Sequence, residues 1–157
     1  MQLLSRQFTA LSQTQLGRIA TQVAGQLRAG DAVLLYGQIG AGKSVFARHM
    51  ISALCPHELE IPSPTFTLIQ TYEAPDFTLH HCDLYRLNAP EQCHELGLDD
   101  AFEYDVCVIE WPEIIEHLVP KDALHIHITV TGDALRDVDM HSKHPRWADV
   151  IGGPDGA

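Results

Sequence analysis

The stretch Gly37-Gln38-Ile39-Gly40-Ala41-Gly42-Lys43-Ser44 fits the phosphate-binding pattern G-x-x-x-x-G-K-[ST] letter for letter. It follows the apolar run Ala32-Val33-Leu34-Leu35-Tyr36, which reads as a short buried strand over Asp31–Tyr36. It precedes a helical pattern to about Leu54 with Phe46, Met50, Ala53 and Leu54 on one face. Strand, loop and helix in that order are what phosphate binding needs. Glycines let backbone N–H groups turn inward, and the helix N-terminus adds partial positive charge. Lys43 reaches the terminal phosphates, and the Ser44 hydroxyl suits a magnesium ion.

At 157 residues the chain is expected to form one domain, over residues 1–157, in the α/β class. No apolar run approaches the ~20 residues that span a bilayer. Residues 1–6 do not read as an export signal, so a cytoplasmic location is expected. Ten basic against twenty-one acidic residues give a net charge of -11, and no basic stripe is visible. A protein holding nucleic acid on its own surface needs such a stripe, so any RNA is expected on a partner. Cys55, Cys82, Cys93 and Cys107 have no C-x-x-C spacing and read as reduced, buried residues rather than a zinc site.

Along the chain, residues 1–8 suggest a leading strand. Ser12 with Gln15 forms a capping box before a helix whose apolar positions are Leu16, Ile19, Ala20, Val23, Ala24 and Leu27, with Gly30 as its stop. Pro62 and Pro64 hold the segment before Thr65 extended. Strands over Thr65–Tyr72 and Phe77–Leu84 read as a hairpin turning through Ala74-Pro75-Asp76. Alternation on the second puts His81 and Asp83 on one face with Phe77 and Leu79, unusual surroundings for a carboxylate unless it serves a site or pairs, for example with Arg86. A helix begins near Pro90 and stops at Gly97, and a second short helix spans Leu98–Glu103. Val106-Cys107-Val108-Ile109 reads as a strand covered on both faces and ends at Glu110, the position where phosphate-loop proteins hold magnesium or a water. Strands are expected at Leu124–Val130 and Ala134–Met140, and a frayed tail from about Gly152. Histidines 80, 81, 125, 127, 141 and 144 read as surface or core residues, because no third ligand stands at a recognisable metal spacing.

Four blocks carry a resemblance: Gly37–Ser44, Ser63-Pro64-Thr65-Phe66-Thr67-Leu68, His81-Cys82-Asp83-Leu84-Tyr85-Arg86-Leu87 and Glu110-Trp111-Pro112. Over about residues 10–131 the chain resembles the TsaE (YjeE) family, the small ATPases of bacterial tRNA threonylcarbamoyladenosine biosynthesis. It departs from that pattern at Gln38, Ile39 and Ser44, where the family commonly has Asp, Leu and Thr, and its sequence after about Gly132 is not diagnostic. The resemblance implies a P-loop NTPase-like three-layer sandwich with a mixed, largely parallel sheet and a hairpin after the loop's helix. It implies ATP/ADP and Mg2+ as ligands and TsaD and TsaB as partners, with tRNA reached only through them. Nucleotide contacts are then expected from Gly37, Gln38, Ile39, Gly40, Ala41, Gly42, Lys43, Ser44 and Val45, with Thr65 near the γ-phosphate or metal. Trp111 is either stacked near the nucleotide or core. Glu110 and Asp83 are expected, with Lys43, in catalysis, and with Ser44 around the metal.

The leading expectation is therefore a slow ATPase driving or resetting a partner assembly. A nucleotide-gated binding module without turnover is the alternative, and a small-molecule kinase is disfavoured because the seven arginines are scattered rather than gathered in a lid. A GTPase needs an N-K-x-D motif, and the sole asparagine, Asn88, is followed by Ala.

Overall fold

Every residue of Ala32–Tyr36 is buried, which a strand of continuous apolar sequence achieves only at the centre of a sheet covered on both faces. The computed structural model describes residues 3–58, 60–64 and 67–151. Among them, seven strands form one sheet: β1 (Leu4–Leu11), β2 (Ala32–Tyr36), β3 (Ile69–Glu73), β4 (Thr78–Asp83), β5 (Val106–Glu110), β6 (Leu124–Gly132) and β7 (Leu135–Ser142). Their spatial order is β1-β7-β6-β2-β5-β4-β3. The middle four, β6, β2, β5 and β4, are parallel, while β3 on one side and β7 and β1 on the other pair antiparallel. The parallel character is thus confined to the middle.

Helices α1 (Gln13–Ala24) and α2 (Lys43–Leu54) cover one face, burying Leu16, Ile19, Phe46 and Met50 against Val33, Leu35, Val108 and Ile126. They approach closely at Gly17, where a Cβ would stand 2.8 Å from the His49 ring. Helices α3 (Gln92–Glu95) and α4 (Leu98–Tyr104), with a short 3-10 helix at Pro112–Ile115, cover the other face over Leu34, Cys107 and Ile109. The result is the expected three-layer α/β arrangement. After β2 the chain first builds the strands on one side of it and then returns to place β6 on the other. That switch opens a crevice at the C-terminal ends of β2 and β5, where open α/β sheets bind ligands.

Local predictions held where the signals were local. The Ser12/Gln15 capping box forms in both directions, and the hairpin turns at Ala74, whose N–H donates to the Phe77 carbonyl. All four cysteines are free and buried. Other expectations need correction. Helix α1 stops at Gly25, not Gly30; Leu27 lies beyond it, and Gly30 instead donates to the Asp105 carbonyl in the approach to β2. On α2 the buried face is Phe46, Ala47, Met50 and Ile51, and Ala53 is exposed. Strand β3 starts at Ile69 because the Leu68 N–H closes a turn onto the Pro64 carbonyl, so it cannot join a ladder. Phe77 precedes β4 rather than lying in it. The tail from Gly152 lies outside the described residues. None of the described helices is long and apolar enough to cross a membrane.

The C-terminal segment closes onto the start of β2. Arg146 donates to Asp31 at 2.6 Å, both side chains nearly buried, and Asp31 also accepts from the Arg28 N–H at 2.7 Å. Burial pushes the Asp31 carboxyl above its usual range and the Arg146 guanidinium below its own, so desolvation outweighs attraction on both sides. Such a pair adds little as a whole, but losing one member strands a buried charge. Arg146→Met should therefore lower unfolding free energy by roughly 3 kcal/mol or more in urea denaturation, with part recovered on adding Asp31→Asn.

Candidate functional site

The loop between β2 and α2 is shaped by its glycines. A Cβ on Gly37 would meet the backbone carbonyl of Ile128 at 2.6 Å, so no larger residue fits beside β6. Gly42, with φ +116, turns the chain into α2 in the left-handed region that side chains rarely adopt. From there the first helical residues, Lys43, Ser44 and Val45, have N–H groups with no intrahelical partner, and all three line an open cavity of about 510 Å³. Ile39, Gly40, Asp83, Glu110 and Trp111 line the same cavity. Its size is that of a small-molecule pocket, roughly 300–1,000 Å³.

The Lys43 ammonium donates to the loop's own carbonyls, Gly37 at 2.6 Å and Gln38 at 3.0 Å, and stands 4.2 Å from the centre of the Trp111 ring. Burial pushes this lysine below its usual range, while Glu110 and then Asp83 pull it back up. An anion in the cavity would relieve that desolvation.

Glu110 connects three elements. Its Oε1 accepts the Ser44 hydroxyl of α2 at 2.8 Å, and its Oε2 lies 2.7 Å from His81 Nε2 on β4. His81 is fully buried, and its Nδ1 has no hydrogen-bond partner. Parallel register places Asp83 directly beside Glu110, and Asp83 Oδ1 accepts the Tyr85 N–H at 3.0 Å. Alternation puts Leu79, His81 and Asp83 on one face of β4, and all three are buried, as is Cys82 on the opposite face. Just past Glu110, Trp111 takes a left-handed backbone (φ +56) that ends β5 and turns its ring toward the lysine, where it meets Tyr85 at 4.8 Å. Trp111 is half-buried at the cavity, which resolves the choice left open by the sequence against core packing.

The structure thus brings Gly37, Gln38, Ile39, Gly40, Ala41, Gly42, Lys43, Ser44 and Val45 together with Asp83, Glu110 and Trp111. Thr65 lies outside the described residues. Sequence reasoning missed Arg136 of β7, which donates from Nε to the Ala41 carbonyl at 2.6 Å and from Nη2 to Gly40 at 3.4 Å. No local pattern pointed to it, since only pairing of β7 with β6 brings it to the loop. Tyr85 was visible inside the D-L-Y-R block, yet its contact with Trp111 was not.

A hard cation takes oxygen donors, and the Ser44 hydroxyl with the Asp83 and Glu110 carboxylates is the oxygen set that lines this cavity. Gly37→Ala should destabilise the fold by about 1–3 kcal/mol in urea denaturation, because a backbone carbonyl cannot yield as a flexible side chain does.

Residues 10–138 match the family described as "Threonylcarbamoyl adenosine biosynthesis protein TsaE". A Rickettsia bellii protein named "tRNA threonylcarbamoyladenosine biosynthesis protein TsaE" is 41% identical over 136 residues, 87% of this chain and 94% of that one. The Bacillus subtilis protein of the same name is 36% identical over 130 residues, 82% of this chain and 80% of that one. The crystal structure of B. subtilis YdiB superposes with a TM-score of 0.77 at 27% identity, covering 96% of this chain and 93% of YdiB.

Proposed function

The chain belongs to the TsaE family of tRNA threonylcarbamoyladenosine biosynthesis proteins, and we propose that it binds ATP at the Gly37–Ser44 loop and hydrolyses it slowly to serve that pathway. The observation that carries the reading is the Ser44–Glu110–His81 network set against the loop. It places a buried carboxylate at the strand end facing the phosphate cradle, where a generic glycine turn would have no reason to hold one.

Binding would proceed by exchange of partners. The Lys43 ammonium leaves the carbonyls of Gly37 and Gln38 for the β- and γ-phosphates, and the N–H groups of Lys43, Ser44 and Val45 take the remaining phosphate oxygens. Ser44, Asp83 and Glu110 would hold magnesium, which supplies charge neutralisation at the phosphates when bound. Hydrolysis requires a water oxygen to bond the γ-phosphorus while the bond to the β–γ bridging oxygen breaks, giving ADP, phosphate and a proton. Glu110 or Asp83 orients that water and accepts its proton, and Lys43 with the loop amides stabilises the charge on the transferred group. Trp111 keeps Lys43 in place by presenting its ring to the ammonium. Arg136 holds the loop from β7 through its carbonyls.

The partners proposed are TsaD and TsaB, with tRNA reached only through them, in the cytoplasm. The charge of -11 supports this division of labour, since it repels a polyanion.

Phosphate release by the purified chain, alone and with TsaB–TsaD, tests the reading. Release that rises with the partners and is lost in Glu110→Ala, with ATP still bound, is the expected result. Bound ATP with no release under either condition would leave a nucleotide-gated module instead, and unchanged turnover in Glu110→Ala would remove Glu110 from the mechanism. Arg136→Gln should weaken ATP binding several-fold, about 1 kcal/mol for one lost hydrogen-bonded brace, as read by equilibrium titration.

A further inference from the structure

His81 sits within β4, fully buried, on the sheet face that α2 covers. In the parallel register its neighbour on β5 is Val108, and Leu79 stands two residues before it on the same face. Both belong to the apolar core beneath Phe46 and Met50. An aliphatic side chain would suit that setting, whereas an imidazole takes two polar ring nitrogens out of water. Only one of them finds a partner. Nε2 lies 2.7 Å from Glu110 Oε2, and Nδ1 is buried with no hydrogen-bond partner among the described residues. The polar end of this ring is therefore committed to Glu110 alone.

A carboxylate accepts hydrogen bonds, so the proton of this contact belongs to His81 Nε2. The other oxygen of Glu110, Oε1, accepts the Ser44 hydroxyl at 2.8 Å. Ser44, Asp83 and Glu110 line the cavity beside the phosphate loop, and His81 does not. The two oxygens of Glu110 thus have different duties: Oε2 is gripped from behind, and Oε1 is turned to Ser44 at the cavity. Asp83 stands directly beside Glu110 in the register, and neighbouring carboxylates repel. A fixed donor on Oε2 holds Glu110 in place against that repulsion.

We propose that His81 is a positioning residue for the phosphate-loop site. By donating from Nε2 to Oε2 it fixes the orientation of the Glu110 carboxylate and leaves Oε1, with Ser44, as the oxygen offered to a hard cation or a water. His81 acts through Glu110 and touches neither nucleotide nor ion. The inference rests on the nucleotide-binding reading above and deepens it by naming what sets Glu110.

Two amide variants separate the hydrogen bond from simple burial. A glutamine amide nitrogen falls near the place of imidazole Nε2, and an asparagine amide stops near that of Nδ1, short of Glu110. For the full chain, His81→Asn and His81→Gln, the test measures ADP affinity in EDTA, manganese binding to the ADP complex by electron paramagnetic resonance, and kcat for phosphate release. All three proteins should bind ADP alike in EDTA, which shows the loop intact. Manganese affinity and kcat should each fall about ten-fold or more in His81→Asn, and His81→Gln should recover most of both. In the unsubstituted protein the ring nitrogen spectrum should place the His81 proton on Nε2, a readout that needs no variant to fold. A proton on Nδ1 alone, unaltered manganese binding in His81→Asn, an equal loss in His81→Gln, or loss of ADP binding in EDTA would each overturn the proposal. Absence of phosphate release from the unsubstituted chain would remove the hydrolysis reading instead, with manganese binding still deciding the role of His81.

Discussion

The carboxylate of Glu110 cannot be left alone. It is 2% exposed at the end of a strand covered on both faces, and a buried charge without partners is among the costliest features a fold can carry. Its two oxygens are met by Ser44 from α2 and His81 from β4, so one side chain ties the loop's helix to the two parallel strands facing it. The geometry of the cavity follows from that tie: the helix N-terminus, Asp83 on the neighbouring strand and the turn at Trp111 are all set relative to Glu110.

Two cations at the loop rest on its own backbone carbonyls. Lys43 rests on the carbonyls of Gly37 and Gln38, and Arg136 on those of Ala41 and Gly40. The carbonyls under Lys43 are partners that a phosphate would readily replace, because it offers the ammonium a full negative charge where a carbonyl offers only a dipole, while Arg136 keeps its own carbonyls and braces the loop. The depressed Lys43 pKa has the same origin: an ammonium removed from water with only partial compensation.

The antiparallel strands at the edges serve the parallel middle. Strand β7 brings Arg136 to the loop and His141 to His127, and the segment after it returns Arg146 to Asp31 just before β2. This is the region whose sequence carried least information, after about Gly132, and it supplies contacts to the strand from which the loop springs.

What the sequence by itself determined was whatever local chemistry dictates. The phosphate pattern, the capping box, the central apolar strands and the alternation that buries His81 and Asp83 each depend on residues a few positions apart, and each formed. The α/β class followed from their order along the chain. Tertiary structure decided the rest. Leu27 has the periodicity of α1 yet lies beyond it, because the Gly25 turn ends the helix while the core still takes the side chain. Whether Trp111 joins the core or the cavity depended on a left-handed turn that no spacing encodes. Arg136 and the His127–His141 pair became neighbours of the loop and of each other only through strand register, which is set by pairing between distant segments and not by the residues beside them.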